Sequence, residues 1–131
     1  MSDDEMEGLR NALLRDPKVK IGKDVGRDRI RDLNDAFRRS GDGGRVLFTA
    51  GVSHLGVAFS HRALGLVRRF DAFGPDNDPH GEHDFGAVEL QGHKLFWKID
   101  YYDKALEYGS ENAADPDQTT RVLTVMLAEE Y

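Results

Sequence analysis

The chain of 131 residues suits one domain, and its hydrophobic fraction of 39% argues against a disordered protein. The absence of cysteine excludes a disulfide framework and thiolate chemistry. There is no long apolar run and the N-terminus is acidic, so we expect neither a membrane span nor a secretory signal, and the expected location is cytoplasmic.

The net charge of −6 is unevenly distributed along the chain. Residues 1–70 carry 14 Lys+Arg against 10 Asp+Glu, which gives +4, and residues 71–131 carry 4 against 14, which gives −10. The basic excess is too small to predict direct nucleic-acid binding. The acidic half fits contact with a basic protein surface, mimicry of nucleic-acid charge, or solubility alone.

The sequence divides the chain into an N-terminal arm over 1–26 and a single domain over 27–131. The arm combines a short amphipathic segment with a linker that contains Pro and Gly, so we expect it to be mobile or bound to a partner. Apolar residues at helical spacing then predict a helix over 27–39: Ile30, Leu33 and Phe37. Gly41 follows as a C-terminal cap.

The middle of the chain predicts a strand, a helix and a hairpin. "RVLFTAG" has the composition of a short strand, and an apolar stripe predicts a helix over 57–71. A Gln91-Gly92 turn then predicts a β-hairpin over 84–102, in which paired positions place Gly86 opposite Trp97 and His83 opposite Asp100.

The C-terminal sequence "ADPDQTTRVLTVMLAEEY" predicts a helix. Asp115 occupies the N-cap position, Pro116 the first turn, and Gln118 the third position of a capping box. The expected fold is therefore α+β, with a small, mainly antiparallel sheet of about three strands and helices packed on one face.

The loop "DNDPHGEHDFG" contains the side chains most suggestive of a metal site. Its acidic spacing resembles a calcium loop, but the position that requires a bidentate Glu holds Ala87. The spacing of His80 and His83 suits a pair of zinc ligands, but no third ligand is clear. The carboxylates that can add oxygen are Glu82, Asp84 and Asp100. The alternative is a solvated acidic loop whose carboxylates cap turns.

The predicted hairpin register also brings together His83, Asp100 and Lys98 as candidate catalytic groups. A His–Asp pair beside a lysine can perform acid–base chemistry. The same pair can instead fasten the loop to the hairpin, which is the more frequent role of such networks.

Aromatic and acidic side chains near the end of the hairpin are candidate partner contacts: Asp76, Asp78, Tyr101, Tyr102 and Asp103. Phe96, Trp97, Tyr101 and Tyr102 can stack nucleic-acid bases, but alternation puts two on each face of the strand. Core packing and a protein interface are the favoured interpretation.

Several long motifs resemble a known family: "DNDPHGEHDFG", "FWKIDYYD" and "TRVLTVMLAEEY". The chain is similar, over about residues 29–131, to small proteobacterial proteins known only as a domain of unknown function, often carried on plasmids or mobile elements. The resemblance implies one domain and an accessory role such as counter-defence, with no activity to transfer.

Two hypotheses follow from these patterns. The first is a non-enzymatic binding or regulatory protein, such as an inhibitor that acts on a basic surface of another protein, with no cofactor. The alternative is a small metal-dependent or acid–base hydrolase with its site at the 76–84 loop and the Asp100 strand. Association of the protein with itself is left open by the sequence.

Overall fold

The computed structural model describes residues 21–131, so most of the predicted arm lies outside the described residues. The elements in chain order are α1 (Ile21–Ser40), β1 (Gly44–Phe48), α2 (Ala50–His54), α3 (Val57–Arg68), β2 (Phe85–Leu90), β3 (His93–Tyr102), β4 (Thr120–Leu127) and a 3-10 turn (Ala128–Glu130). The helix predicted over 27–39 lies within α1, which begins at Ile21. Gly41 adopts a left-handed φ of 79° and its N–H donates to the carbonyl of Phe37, which confirms the predicted cap.

The sheet has the strand order β1-β4-β3-β2. β4 pairs antiparallel with β3, β3 pairs antiparallel with β2, and β1 pairs parallel with β4. The α+β class is confirmed, but the sheet in the described residues has four strands and is mixed, where about three mainly antiparallel strands were expected. No helix within residues 21–131 is long and apolar enough to span a membrane.

The central hairpin has the predicted register. Phe85 faces Lys98, Gly86 faces Trp97, and the turn residues Gln91 and Gly92 both have positive φ, at 52° and 82°. This is the geometry of a type I′ turn, whose twist matches that of paired strands. The indole of Trp97 is fully buried and packs against the backbone of Gly86. Only glycine fits at this position, because a Cβ there would lie 2.6 Å from Trp97 Nε1.

Replacing Gly86 with Ala tests this packing. The new methyl group collides with Trp97 and Phe70, so Gly86→Ala should destabilise the protein by about 1–3 kcal/mol, the usual cost of overpacking. The measurement is the free energy of unfolding in urea. Gly74→Ala, where no atom lies within 4 Å of the added Cβ, is the control and should change stability by less than about 0.5 kcal/mol. Equal stability of the two variants contradicts the packing described.

The predicted C-terminal helix is wrong, because residues 120–127 form strand β4 at the centre of the sheet. The capping contacts that suggested a helix do form. Asp115 accepts hydrogen bonds from the Asp117 N–H at 2.9 Å and from Gln118 Nε2 at 2.7 Å. They close an isolated turn, and the β-branched residues that follow extend between β1 and β3.

The three helices pack on one face of the sheet, as expected. Their core contacts come from Phe37 in α1, Val52 in α2, and Phe59, Ala63 and Val67 in α3. The facing sheet residues alternate along the two central strands: Leu95, Trp97 and Ile99 in β3, with Leu123 and Val125 in β4.

The 3-10 turn at the C-terminus holds α2 against the sheet through Glu130. One carboxylate oxygen accepts from the Thr49 hydroxyl at 2.7 Å and the Leu127 N–H at 2.8 Å, and the other accepts from the Gly51 N–H at 3.2 Å. The Thr49 bond, followed by the backbone bonds, lowers the pKa of Glu130.

These bonds predict a pH-dependent effect of Glu130→Gln. A folded-state pKa below the unfolded value gives stability above the unfolded pKa, which is lost as pH falls through the folded pKa. We therefore expect the variant to melt at a lower temperature than the wild type at pH 7, and the difference to shrink toward pH 3. Melting curves at both pH values provide the measurement. The neighbouring, exposed Glu129→Gln is the control, and a difference that grows on acidification contradicts the account.

Candidate functional site on the open face of the sheet

The face of the sheet opposite the helices is left uncovered by them, and we call it the open face. Side chains alternate along each strand, so the neighbours of the core residues point to this face. They include apolar, aromatic and charged groups: Arg45, Leu47, Phe85, Lys94, Phe96, Lys98, Asp100, Tyr102, Val122, Thr124 and Met126.

A groove of about 530 Å³ crosses the open face. Its apolar lining comes from Leu47, Tyr102, Leu106, Val122 and Met126, and its polar lining from Arg45, Thr49, Lys98, Asp100 and Thr124. This volume lies within the usual range for ligand sites, which combine apolar walls with a few polar groups. We call it the open-face groove.

The charged groups in the open-face groove form an ion pair. Lys98 Nζ lies 3.0 Å from Asp100 Oδ2, and this hydrogen bond is the main reason that the pKa of Lys98 is raised. Both side chains are about two-fifths exposed, at 41% and 37%, so the pair contributes little to stability. Its groups therefore remain available to a bound molecule.

The loop between β3 and β4, residues 103–118, continues the wall of the groove. Leu106 belongs to both, and the start of the loop is fixed by a bond from the Asp103 N–H to the Tyr108 carbonyl at 2.8 Å. Farther along, Arg121 donates to the Ala113 carbonyl at 2.6 Å and Arg29 to the Ala114 carbonyl at 2.7 Å. These bonds give the loop a defined shape.

Residues 103–118 carry five carboxylates and one lysine, and we call them the acidic loop. Asp103 and Asp115 accept backbone hydrogen bonds inside the loop. The side chains of Glu107, Glu111 and Asp117 are exposed. Tyr108 projects among them with 73% of its surface accessible.

The predicted pairing of His83 with Asp100 is wrong. His83 has a φ of 55°, which takes its backbone out of the extended conformation, and β2 begins only at Phe85. Its Nδ1 instead lies 2.9 Å from Asp35 Oδ1 in α1, its Nε2 lies 3.6 Å from Asp78, and its ring stacks on Phe73 at 3.7 Å. His83 thus lies on the helix side of the sheet, and Asp100 lies in the open-face groove.

The other candidates in the loop also belong to the helix side or to solvent. Tyr101 donates to Glu82 at 3.0 Å and accepts from Asn34 at 2.8 Å, and burial raises its pKa. Burial, and then the nearby charge of Glu82, raises the pKa of Asp84. Asp76 and His80 are exposed. Across residues 21–131, no three His, Asp or Glu side chains are grouped so that they could hold a metal ion.

The different surroundings of His83 and Asp100 predict that their substitutions lower the free energy of unfolding by different amounts. His83→Asn removes the Asp35 contact and the ring stack, so it should cost about 1–3 kcal/mol of unfolding free energy. Asp100→Asn breaks an exposed pair and should cost less than about 1 kcal/mol. Urea denaturation of both variants checks this difference. A larger loss for Asp100→Asn contradicts the placement of His83 in a structural contact.

Of the predicted site residues, the structure gathers Lys98, Asp100 and Tyr102 in the open-face groove, and Asp103 adjoins it. Sequence reasoning missed the groove residues contributed by β1, by the residue after it and by β4: Arg45, Leu47, Thr49, Val122, Thr124 and Met126. The alternation of Thr120, Val122, Thr124 and Met126, rich in β-branched residues, is the signal that could have identified them.

Together these features define an α+β domain whose helices cover one sheet face and whose other face carries a groove with an acidic rim. A model of the family described as a protein of unknown function (DUF3768) matches residues 48–130, and the chain belongs to this family. No curated protein and no solved structure matches the chain.

Proposed function

We propose that this is a non-enzymatic binding protein that acts on a basic surface of another protein through the open-face groove and the acidic loop. The observation that carries the proposal is their continuity, since Leu106 lines the groove and lies within the loop. A partner can then place an apolar side chain in the groove while its cations meet the loop.

The charge of the acidic loop supports a basic partner. Glu107, Glu111 and Asp117 are exposed, and a cleft of about 480 Å³ lies among the side chains of this loop. Such a charge cluster speeds the encounter with an oppositely charged partner and suppresses association with acidic proteins.

The groove supports an anchored contact rather than charge attraction alone. Leu47 is 50% exposed at its wall, although burial of apolar surface from water is favourable. Interfaces gain most of their energy from a few anchors in well-packed pockets, surrounded by a polar rim. The open-face groove corresponds to such a pocket, and the acidic loop corresponds to the polar rim.

A hydrolase is the second candidate, and we rank it lower. Its acid–base set needs His83 beside Asp100, and these residues lie on opposite faces of the sheet. What favours it is the Lys98–Asp100 pair inside the groove. An inhibitory, counter-defence role, suggested by the resemblance to proteins of mobile elements, is the form of binding that we propose to test first.

Neutralising the exposed loop carboxylates tests the proposal. The variant Glu107→Gln/Glu111→Gln/Asp117→Asn should reduce capture of bacterial proteins on immobilised protein by at least about tenfold, because each lost charge pair weakens association. The captured proteins should elute from the wild type as salt rises toward about 0.5 M, where screening is strong. Quantitative mass spectrometry of the eluates provides the measurement.

The matched control removes the same charge elsewhere with Asp42→Asn/Asp71→Asn/Glu129→Gln, three exposed positions outside the acidic loop. We expect it to retain the wild-type captured set. Equal losses in the two triple variants, or capture that persists unchanged in high salt, contradict binding by the acidic loop.

A further inference from the structure

Residues 43–70 contain no aspartate or glutamate, although 32% of the whole chain is charged. The segment carries four arginines and two histidines: Arg45, His54, His61, Arg62, Arg68 and Arg69. It includes α3, which therefore has no acid of its own to pair with its cations.

A groove of about 430 Å³ lies between α3 and the end of β2. It is lined by His61, Arg62, Gly65, Leu66, Arg69 and Leu90, and we call it the α3 groove. His61, Arg62 and Arg69 are exposed at its sides, and Leu66 and Leu90 supply apolar surface.

The cations of the α3 groove differ from those of α1. In α1, Arg31 pairs with Asp28 and Arg38 pairs with Asp35. Within the part of the chain that the structure describes, no ion pair joins Arg62 or Arg69 to a carboxylate. Their charge is available for an acidic group from outside the fold.

Gly65 keeps the α3 groove open, because it places no side chain between the arginines. A Cβ at this position would meet only the guanidinium of Arg69, at 3.4 Å or more. Arg62 and Arg69 lie seven residues apart, about 10 Å along the helix axis. This spacing leaves room for one aromatic ring between two cations.

The acidic loop has the complementary charge and carries an exposed aromatic ring. The exposed ring of Tyr108 stands beside Glu107, with Glu111 and Asp117 around the same cleft. The loop follows the last residue of β3, whereas the α3 groove includes Leu90 next to the hairpin turn at the other end of that strand. β3 is about 30 Å long, so the two surfaces lie at opposite ends of this strand within one molecule.

We infer that the α3 groove binds the acidic loop of a second copy of this chain. Tyr108 of one molecule enters the groove over Leu66 and Leu90 of the next, and the loop carboxylates pair with Arg62 and Arg69. Tyrosine and arginine are the residues that most often dominate binding energy at interfaces. The contact joins two different surfaces, so it is head-to-tail and can extend beyond a dimer.

This association also regulates the proposed partner binding, because a loop held in a neighbour's groove is covered. The regulatory consequence depends on the proposed function. The association itself does not, since it is measured on the purified protein alone, and the two claims can fail separately.

A charge-swap experiment tests the inference. The groove variant is Arg62→Glu/Arg69→Glu and the loop variant is Glu107→Lys/Glu111→Lys. By sedimentation at about 20 mM salt, where screening is weak, the average mass of the wild type should rise with concentration. Each variant alone should associate at least about tenfold more weakly, as should the wild type at about 0.5 M salt.

An equimolar mixture of the two variants provides the decisive arm, because the groove variant keeps an intact loop and the loop variant keeps an intact groove. The swapped groove and the swapped loop are also opposite in charge, so the mixture should regain the rise of average mass with concentration that neither variant shows alone. Gly65→Leu should block association by filling the groove, whereas Gly65→Ala should leave it within about twofold of the wild type. Circular dichroism checks that every variant is folded.

Four results would overturn the inference. A wild type that stays monomeric at low salt removes the association itself. A groove variant that associates like the wild type, or a loss of similar size in the control Arg39→Glu/Lys94→Glu at two exposed positions, assigns association to another surface or to net charge. Folded variants whose mixture stays monomeric show that the two surfaces do not meet.

Discussion

The fold depends on one buried arginine. Arg38 is fully buried, and its Nη1 donates to the carbonyls of Val67, Arg68 and Phe70, at 2.8, 3.2 and 2.9 Å. These carbonyls lie in the last turn of α3 and just after it, where the helix itself supplies few donors. Nη2 donates to Asp35 at 3.1 Å, and the guanidinium lies 5.2 Å from the Trp97 ring. One side chain thus connects α1, α3 and the centre of the sheet.

The polar side chains between the helices and the sheet bond to one another around Arg38, so their role is to stabilise the fold. Asp35 also contacts His83, which fixes the acidic connection before β2. A second network begins at Asn34, which donates to Tyr101 and accepts from Arg121 at 2.7 Å. Most buried polar groups in proteins are hydrogen-bonded, and here Asn34 and Arg121 bond to each other, whereas Nε of Arg38 has no partner. None of the three described helices covers the open face, so its groove and acidic rim remain for contact with other molecules.

Local sequence signals predicted the elements whose stabilising contacts are local. The type I′ turn, the Gly86–Trp97 pair and the Gly41 cap all depend on neighbours in sequence or on one strand pairing. β4 was missed because its capping contacts at Asp115 are real, whereas its strand conformation depends on β1 and β3, distant in sequence. The open-face groove was missed with it, because β4 forms its floor. His83 was misplaced because its left-handed φ depends on Asp35 and Phe73, which no local pattern shows.

The stability of Arg38→Lys is the most direct test of this arrangement. A lysine keeps the charge but has no planar fork with which to reach Asp35 and the three carbonyls at and after the end of α3. We predict a loss of about 3–5 kcal/mol in the free energy of unfolding, measured in urea, or failure to fold, because a poorly paired charge is left buried. Arg39→Lys, at the exposed neighbour, should change it by less than about 0.5 kcal/mol. An Arg38→Lys protein as stable as the wild type would contradict the central role of this residue.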